Sequence, residues 1–253
     1  MIQTIMGEIA DRRGWISSRL ADKQSNKSES ESESILLLDY ACGAGTATKV
    51  CIHIHIQHAF PQAKLTGQAL LPFITQAIGL DLSENMVKEY NNWATANGYP
   101  AEKMRAYHLN LLDSDSDAEG GIELDGFDVV VVCMALHHVA DAGRLLARLS
   151  GCLKPGGVCV VVDGVPTPPA AATAGEDSET ADLRAVLGPE QLEVLETINK
   201  HGYTEGEMRE LYEGAGLGRG FEYVVIEREL RFTMFGHEFS RRGFIARGER
   251  ISP

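Results

Sequence analysis

The run ILLLDYACGAGT, from Ile35 to Thr46, constrains the chain more than any other stretch. Ile35 to Leu38 are apolar without alternation and lead into Asp39, the pattern of a strand buried on both faces that ends at an acid. The residues that follow place Gly43 and Gly45 where a strand must turn sharply into a helix and where a ligand can approach the backbone. A small-molecule pocket is expected at that turn.

The acid and the glycine spacing narrow the ligand. A dinucleotide fingerprint needs a third glycine three residues after Gly45, where this chain has Thr48. A carboxylate facing the loop repels a pyrophosphate and suits an ammonium group, which it can hold by a charge-assisted hydrogen bond. No Gly-Lys-Ser/Thr follows, so the phosphate-loop reading also fails.

Size and charge bound the classes of function. With 253 residues, 44% of them hydrophobic, the chain is long enough for one sizeable core and short for two, so a single main domain is expected. A net charge of -13 leaves no basic stripe for phosphate contacts, which argues against a nucleic-acid partner; small neutral or cationic ligands suit it better. Cys42, Cys51, Cys133, Cys152 and Cys159 are odd in number and mostly in apolar context without a Cys-x-x-Cys pair, as expected for reduced thiols in the cytoplasm. No run approaches the roughly 18 apolar residues of a membrane span, and the first residues lack a secretory pattern, so no membrane partner is expected.

Along the chain, residues 1–24 form an N-terminal segment in which Ile2, Ile5, Met6 and Ile9, then Ile16 and Leu20, keep helical spacing in two pieces with Trp15 near the break. It reads equally as a lid over a substrate or as a packing helix. Residues 25–34, rich in Ser and Glu, form a flexible linker, and residues 35–253 the main domain. A helix is expected from Thr46 to Phe60. His53, His55 and His58 sit two and three residues apart with no interleaved carboxylate or cysteine, which disfavours a metal site. Residues 52–72 read as an insertion or extended helix-loop. The next strand ends at Asp81, and Ser83 caps a helix carrying Met86, Val87 and Tyr90. An acid at the end of a second strand is where a ribose presents vicinal hydroxyls. A third strand starts at Met104, a fourth runs from Phe127 to Cys133, and a helix from Asp141 to Leu153 leads into a fifth strand ending at Asp163. Residues 165–187 form a long loop, a helix spans Gln191 to Lys200, and Thr204 with Glu207 makes a capping box. EYVVIEREL and FSRRGFIARGE read as two late strands.

ILLLDYACGAGT resembles the glycine-rich signature of the class I S-adenosylmethionine-dependent methyltransferases. GLDLSENM, the post-strand CMALHHVAD and the LKPGG turn into an apolar strand are similar to the corresponding segments of that family, so the resemblance runs from about Ile35 to Arg247. It implies a doubly wound α/β fold, with a mostly parallel seven-stranded sheet, helices on both faces and an antiparallel last strand. It also implies S-adenosyl-L-methionine as donor. Asp39 and the backbone at Ala41, Gly43 and Gly45 would take its methionine part, and Asp81 its ribose. Leu82, Met86, Asn110 and Leu111 would take the adenine, with the Cys133 backbone near its amino group. Asn110 departs from the family's usual Asp, although an amide oxygen still accepts a hydrogen bond.

Sulfonium methyl transfer needs positioning and, for some acceptors, removal of a proton. His137 and His138 are the candidate bases, because an imidazole titrates near neutrality. His201 and Tyr203 precede the late helix and are weaker candidates to line the pocket. The resemblance is nearest to methyltransferases acting on free metabolites, such as the ubiquinone and menaquinone biosynthesis group. The alternative is a binding module that keeps the donor site without transferring methyl. A nicotinamide oxidoreductase is a remoter rival. The acceptor and the oligomeric state have no readable code.

Overall fold

The computed structural model describes residues 1–21, 34–43, 74–113, 122–166, 202–234 and 237–251. Most of the linker, the expected helix over 46–60 with its three histidines, Gly45, the 52–72 segment, most of the 165–187 loop, the Gln191–Lys200 helix and His201 lie outside the described residues.

Seven strands make one sheet in the order β3-β2-β1-β4-β5-β9-β6, formed by β1 (Leu36–Tyr40), β2 (Gln76–Asp81), β3 (Met104–His108), β4 (Phe127–Cys133), β5 (Leu153–Gly164), β6 (Arg219–Val225) and β9 (Gly243–Glu249). Strands β1 to β5 pair in parallel, and β9 runs antiparallel between β5 and β6. This is the expected doubly wound mixed sheet. Its strand order reverses between β1 and β4, and such folds open their ligand crevice at that switch point, beyond the carboxyl ends of the strands.

The valines of β4, Val129 to Val132, are 0–2% exposed, because helices cover both faces. On one face Leu37, Val129, Val131, Val160, Val162 and Ile245 pack with the N-terminal segment and with Tyr90 and Ala94 of α3 (Glu84–Ala96). On the other, Leu38, Val130, Val132, Cys159, Val161 and Phe244 pack with α4 (Ala142–Cys152) and α5 (Glu205–Gly214). The expected caps are present: Ser83 accepts from Met86 N–H, Asp141 accepts from Arg144 N–H, and Thr204 and Glu207 form a capping box.

The N-terminal segment folds as α1 (Ile2–Asp11), α2 (Arg13–Ile16) and a short 3-10 turn, Ser18–Leu20, with the break at Arg12. Ile5, Ile9, Ile16 and Leu20 are 0–1% exposed, so the apolar stripe packs on the sheet. At the amino edge of the sheet, the buried Asp128 is ion-paired with Arg19 and Lys154 and accepts from Leu36 N–H at 2.9 Å.

Two boundaries differ from expectation. Strand β1 extends past Asp39 to Tyr40, because Tyr40 still pairs with Leu80 and Val132. EYVVIEREL and FSRRGFIARGE do not simply pair with each other: β6 and β9 do so, and between them β7 (Leu230–Met234) and β8 (His237–Arg241) form a separate two-stranded antiparallel sheet.

Candidate functional site

The carboxyl edge of the sheet gathers the acids that close its strands. Asp39, near the end of β1, is 1% exposed, and Asp81 ends β2 beside it. The chain leaves β1 with Ala41 and Gly43 both left-handed, at φ 53 and 52. Cys42 N–H donates to Leu80 O at 3.0 Å, which ties the turn to the end of β2. Asp81 Oδ2 accepts from Gly43 N–H at 2.7 Å and Oδ1 from Ser83 N–H at 2.8 Å. One carboxylate therefore holds the glycine turn and the start of α3 together. An ionised carboxylate offers about four lone-pair sites, so acceptor capacity remains for vicinal hydroxyls.

Leu82, next to Asp81, is 61% exposed, a rare position for so large an apolar side chain among the described residues. Its carbonyl contacts His108 Nε2 at 3.0 Å, which fixes the backbone there. Met86 is half-buried one turn into α3. Asn110 and Leu111 are placed differently from a free ring contact. Asn110 Oδ1 accepts from Leu112 N–H and its Nδ2 donates to Asp113, each at 3.0 Å, so both ends of the amide are used in a local turn. Leu111 is 4% exposed and packs in the core beside α4, where Arg148 Nε donates to its carbonyl. The Tyr40 phenol is pushed up to about 12, mainly by burial and then by the charges of Asp81 and Asp113.

A second constellation lies past β4. Met134 is left-handed at φ 52, and its N–H donates to Val162 O at 2.8 Å. Two non-glycine residues in this conformation, Ala41 and Met134, thus follow the neighbouring strands β1 and β4. Each costs of order 1–2 kcal/mol, and such strain concentrates at ligand sites. The turn after Met134 is built on Asp163, 0% exposed at the end of β5. Asp163 Oδ1 lies 2.8 Å from His137 Nδ1, and Oδ2 accepts from His137 N–H at 3.2 Å. Because the carboxylate can only accept, Nδ1 carries the imidazole proton. Tyr203 O–H donates to Leu136 O at 3.1 Å, and Tyr203 N–H donates to Gly164 O at 3.0 Å, so the segment before α5 does return to this turn.

His138 is exposed and its ring lies against that of His137, with centroids 4.1 Å apart. Its pKa is lowered by partial burial and by His137, with Asp163 opposing. The Cys133 thiol is pushed up by burial, then by Asp39 and Asp163, which keeps it protonated and inert as a nucleophile. Asp163 was not singled out from sequence as a site residue. Its signal there is the same as that of Asp81, an acid closing an apolar run, here VCVVVD.

The chain matches, over residues 38–159, a family model described as a methyltransferase domain, just under half of its length. It is 31% identical over 153 residues to an uncharacterized methyltransferase of Schizosaccharomyces pombe, covering 60% of this chain and 49% of that protein. The chain thus spans about half the length of this curated relative. Among solved structures it is similar to the YcgJ protein of Bacillus subtilis, at 15% identity and TM-score 0.53, covering 87% of this chain and 93% of the other. It is also similar to magnesium protoporphyrin IX methyltransferase of Synechocystis with S-adenosylhomocysteine bound, at 14% identity and TM-score 0.51, covering 98% and 84%. A third is the mitomycin 7-O-methyltransferase MmcR, at 17% identity and TM-score 0.54, covering 98% and 53%. At these identities the structural likenesses show the fold. No helix among the described residues is long and apolar enough to cross a membrane. Residues 38–159 thus match a methyltransferase domain, and the seven-stranded sheet has the Rossmann-like fold of these methyltransferase structures.

Proposed function

We propose that the protein transfers a methyl group from S-adenosyl-L-methionine to an oxygen, nitrogen or carbon atom of a small-molecule metabolite. The observation that carries this reading is the pair Asp39 and Asp81 on neighbouring strands, bracketing a left-handed glycine turn with the exposed Leu82 beside it. That donor set fits the group. A buried carboxylate suits an ammonium, a carboxylate with spare acceptor capacity suits a diol, and an exposed leucine suits one face of an adenine. Asp39 and the backbone at Ala41, Gly43 and Gly45 hold the amino-acid part, and Asp81 holds the ribose. Leu82 and Met86 take the ring, with the Cys133 backbone near the ring's amino group. Asn110 and Leu111 contribute less to the ring than the resemblance implies, because a local turn and the core already engage them.

When bound, the sulfonium group supplies an already activated methyl, so the chain's own work is positioning and proton removal. His138 accepts the proton of the acceptor: its lowered pKa keeps the ring neutral at pH 7, and its exposure gives access. Asp163 and His137 are positioning residues that fix the turn from which His138 projects.

The test is incubation with methyl-labelled donor and a panel of phenols, quinols and amines. Transfer to at least one member is expected, with His138→Ala lowering its rate roughly 100-fold at pH 7. Tight binding of S-adenosylhomocysteine without transfer to any compound would favour a donor-binding module instead.

A further inference from the structure

Arg241, the last residue of β8, carries a charge that no described residue answers. Its Nε and Nη2 are buried and have no hydrogen-bond partner among the described residues. These two nitrogens share one edge of the guanidinium, the edge whose parallel N–H bonds match both oxygens of a carboxylate. A guanidinium cannot shed its charge by losing a proton, so burial without an anion is a standing cost that a ligand would remove.

The position is as informative as the missing partner. The guanidinium lies over Gly164, where a Cβ would overlap Nη2, Cζ and Nε, so the absence of a side chain at the end of β5 gives it its seat. Gly164 follows Asp163, the residue that holds His137, and β5 lies beside β4, whose turn carries His138. The turn that would hold the donor follows β1, on the far side of β4, two strand spacings or roughly 10 Å from β5. Arg241 is therefore on the acceptor's side of the histidines. The other arginines nearby, Arg231 and Arg242, are exposed, and Arg231 pairs with Glu229. One buried fork suits a monoanion better than a phosphate dianion. In a chain of net charge -13, anion recognition has to come from such a local cation.

We propose that the methyl acceptor bears a carboxylate and that Arg241 receives it as a bidentate pair over Gly164. This rests on the methyltransferase reading above and departs from the expectation of neutral or cationic ligands drawn from overall charge.

The test uses the full chain loaded with S-adenosylhomocysteine and titrated with benzoate and with its neutral isostere benzamide. Benzoate is expected to bind at least tenfold more tightly than benzamide. Arg241→Gln should abolish that preference and Arg241→Lys keep part of it, with S-adenosylhomocysteine affinity unchanged within twofold in both. In the unmodified chain, the Arg241 Nε–H resonance should shift with benzoate and not with benzamide, a readout that needs no variant to fold. Equal affinity for the two probes, a silent Nε–H resonance, or full benzoate binding by Arg241→Gln would overturn the proposal. Failure to bind S-adenosylhomocysteine would instead strike the methyltransferase reading, while benzoate titration of the unloaded chain still reports on Arg241.

Discussion

The two edges of the sheet handle charge in opposite ways. At the amino edge, the buried Asp128 has two cations and a backbone N–H, so its charge is answered within the chain. At the carboxyl edge, Asp81 keeps acceptor capacity, Ala41 and Met134 sit in strained backbone, and the fork of Arg241 has no described partner. A charge answered within the chain needs no ligand, whereas an unanswered buried one is a cost that a ligand would relieve.

Removing each acid in turn is the hardest way to break that contrast. Asp128→Ala would remove the carboxylate shared by Arg19 and Lys154 and the acceptor of Leu36 N–H, and because both cations reach water it is expected to cost about 1–3 kcal/mol of stability in denaturant unfolding. The same variant should keep its affinity for S-adenosylhomocysteine, and a parallel loss of affinity would show that the edges are not separate. Asp163→Asn should do the reverse in kind. It removes the charge and turns one of the two acceptor oxygens that fix His137 into a donor, and is expected to lower kcat about tenfold to 100-fold with donor KM nearly unchanged. A proportional rise in KM would mean that Asp163 serves binding instead.

The pH dependence sharpens the same contrast by a smaller margin. His138 has a lowered pKa in the folded chain, from burial first and then His137, so the fold favours its neutral form. Its contribution to stability is intact above the unfolded value of about 6.5 and is lost as pH falls from there through the folded value. The acidic limb of kcat/KM should accordingly lie below pH 6.5 and should disappear in His138→Ala. Ala41→Gly carries the smallest effect. It relieves left-handed strain but raises the entropy of the unfolded chain, for a net gain of under about 1 kcal/mol. A loss of stability there would mean that the strain is not real.

What was legible in the sequence was whatever a single segment encodes. The apolar runs ending at Asp81, Cys133 and Asp163, and the caps at Ser83, Asp141 and Thr204, are local, and the structure shows them. The end of β1 was less so, because Tyr40 is a strand residue only through its pairing with Leu80 and Val132. The β7 and β8 hairpin lies mostly between the two runs read as strands, sharing with them only Leu230 and Phe239 to Arg241. The site divides the same way. Asp39, Asp81 and the histidines were picked out as candidates by type and position. The pairing of Asp163 with His137, and the seat of Arg241 over Gly164, join residues far apart in the chain and have no local signature.

The central claim is that the acids closing β1 and β2 form a donor site. Calorimetric titration with S-adenosylhomocysteine of the chain and of Asp81→Ala measures it most directly. The account predicts saturable binding and a loss of about tenfold to 100-fold in the variant, as expected for removing hydrogen bonds to a charged acceptor. No binding by the chain, or equal affinity in Asp81→Ala, would contradict it.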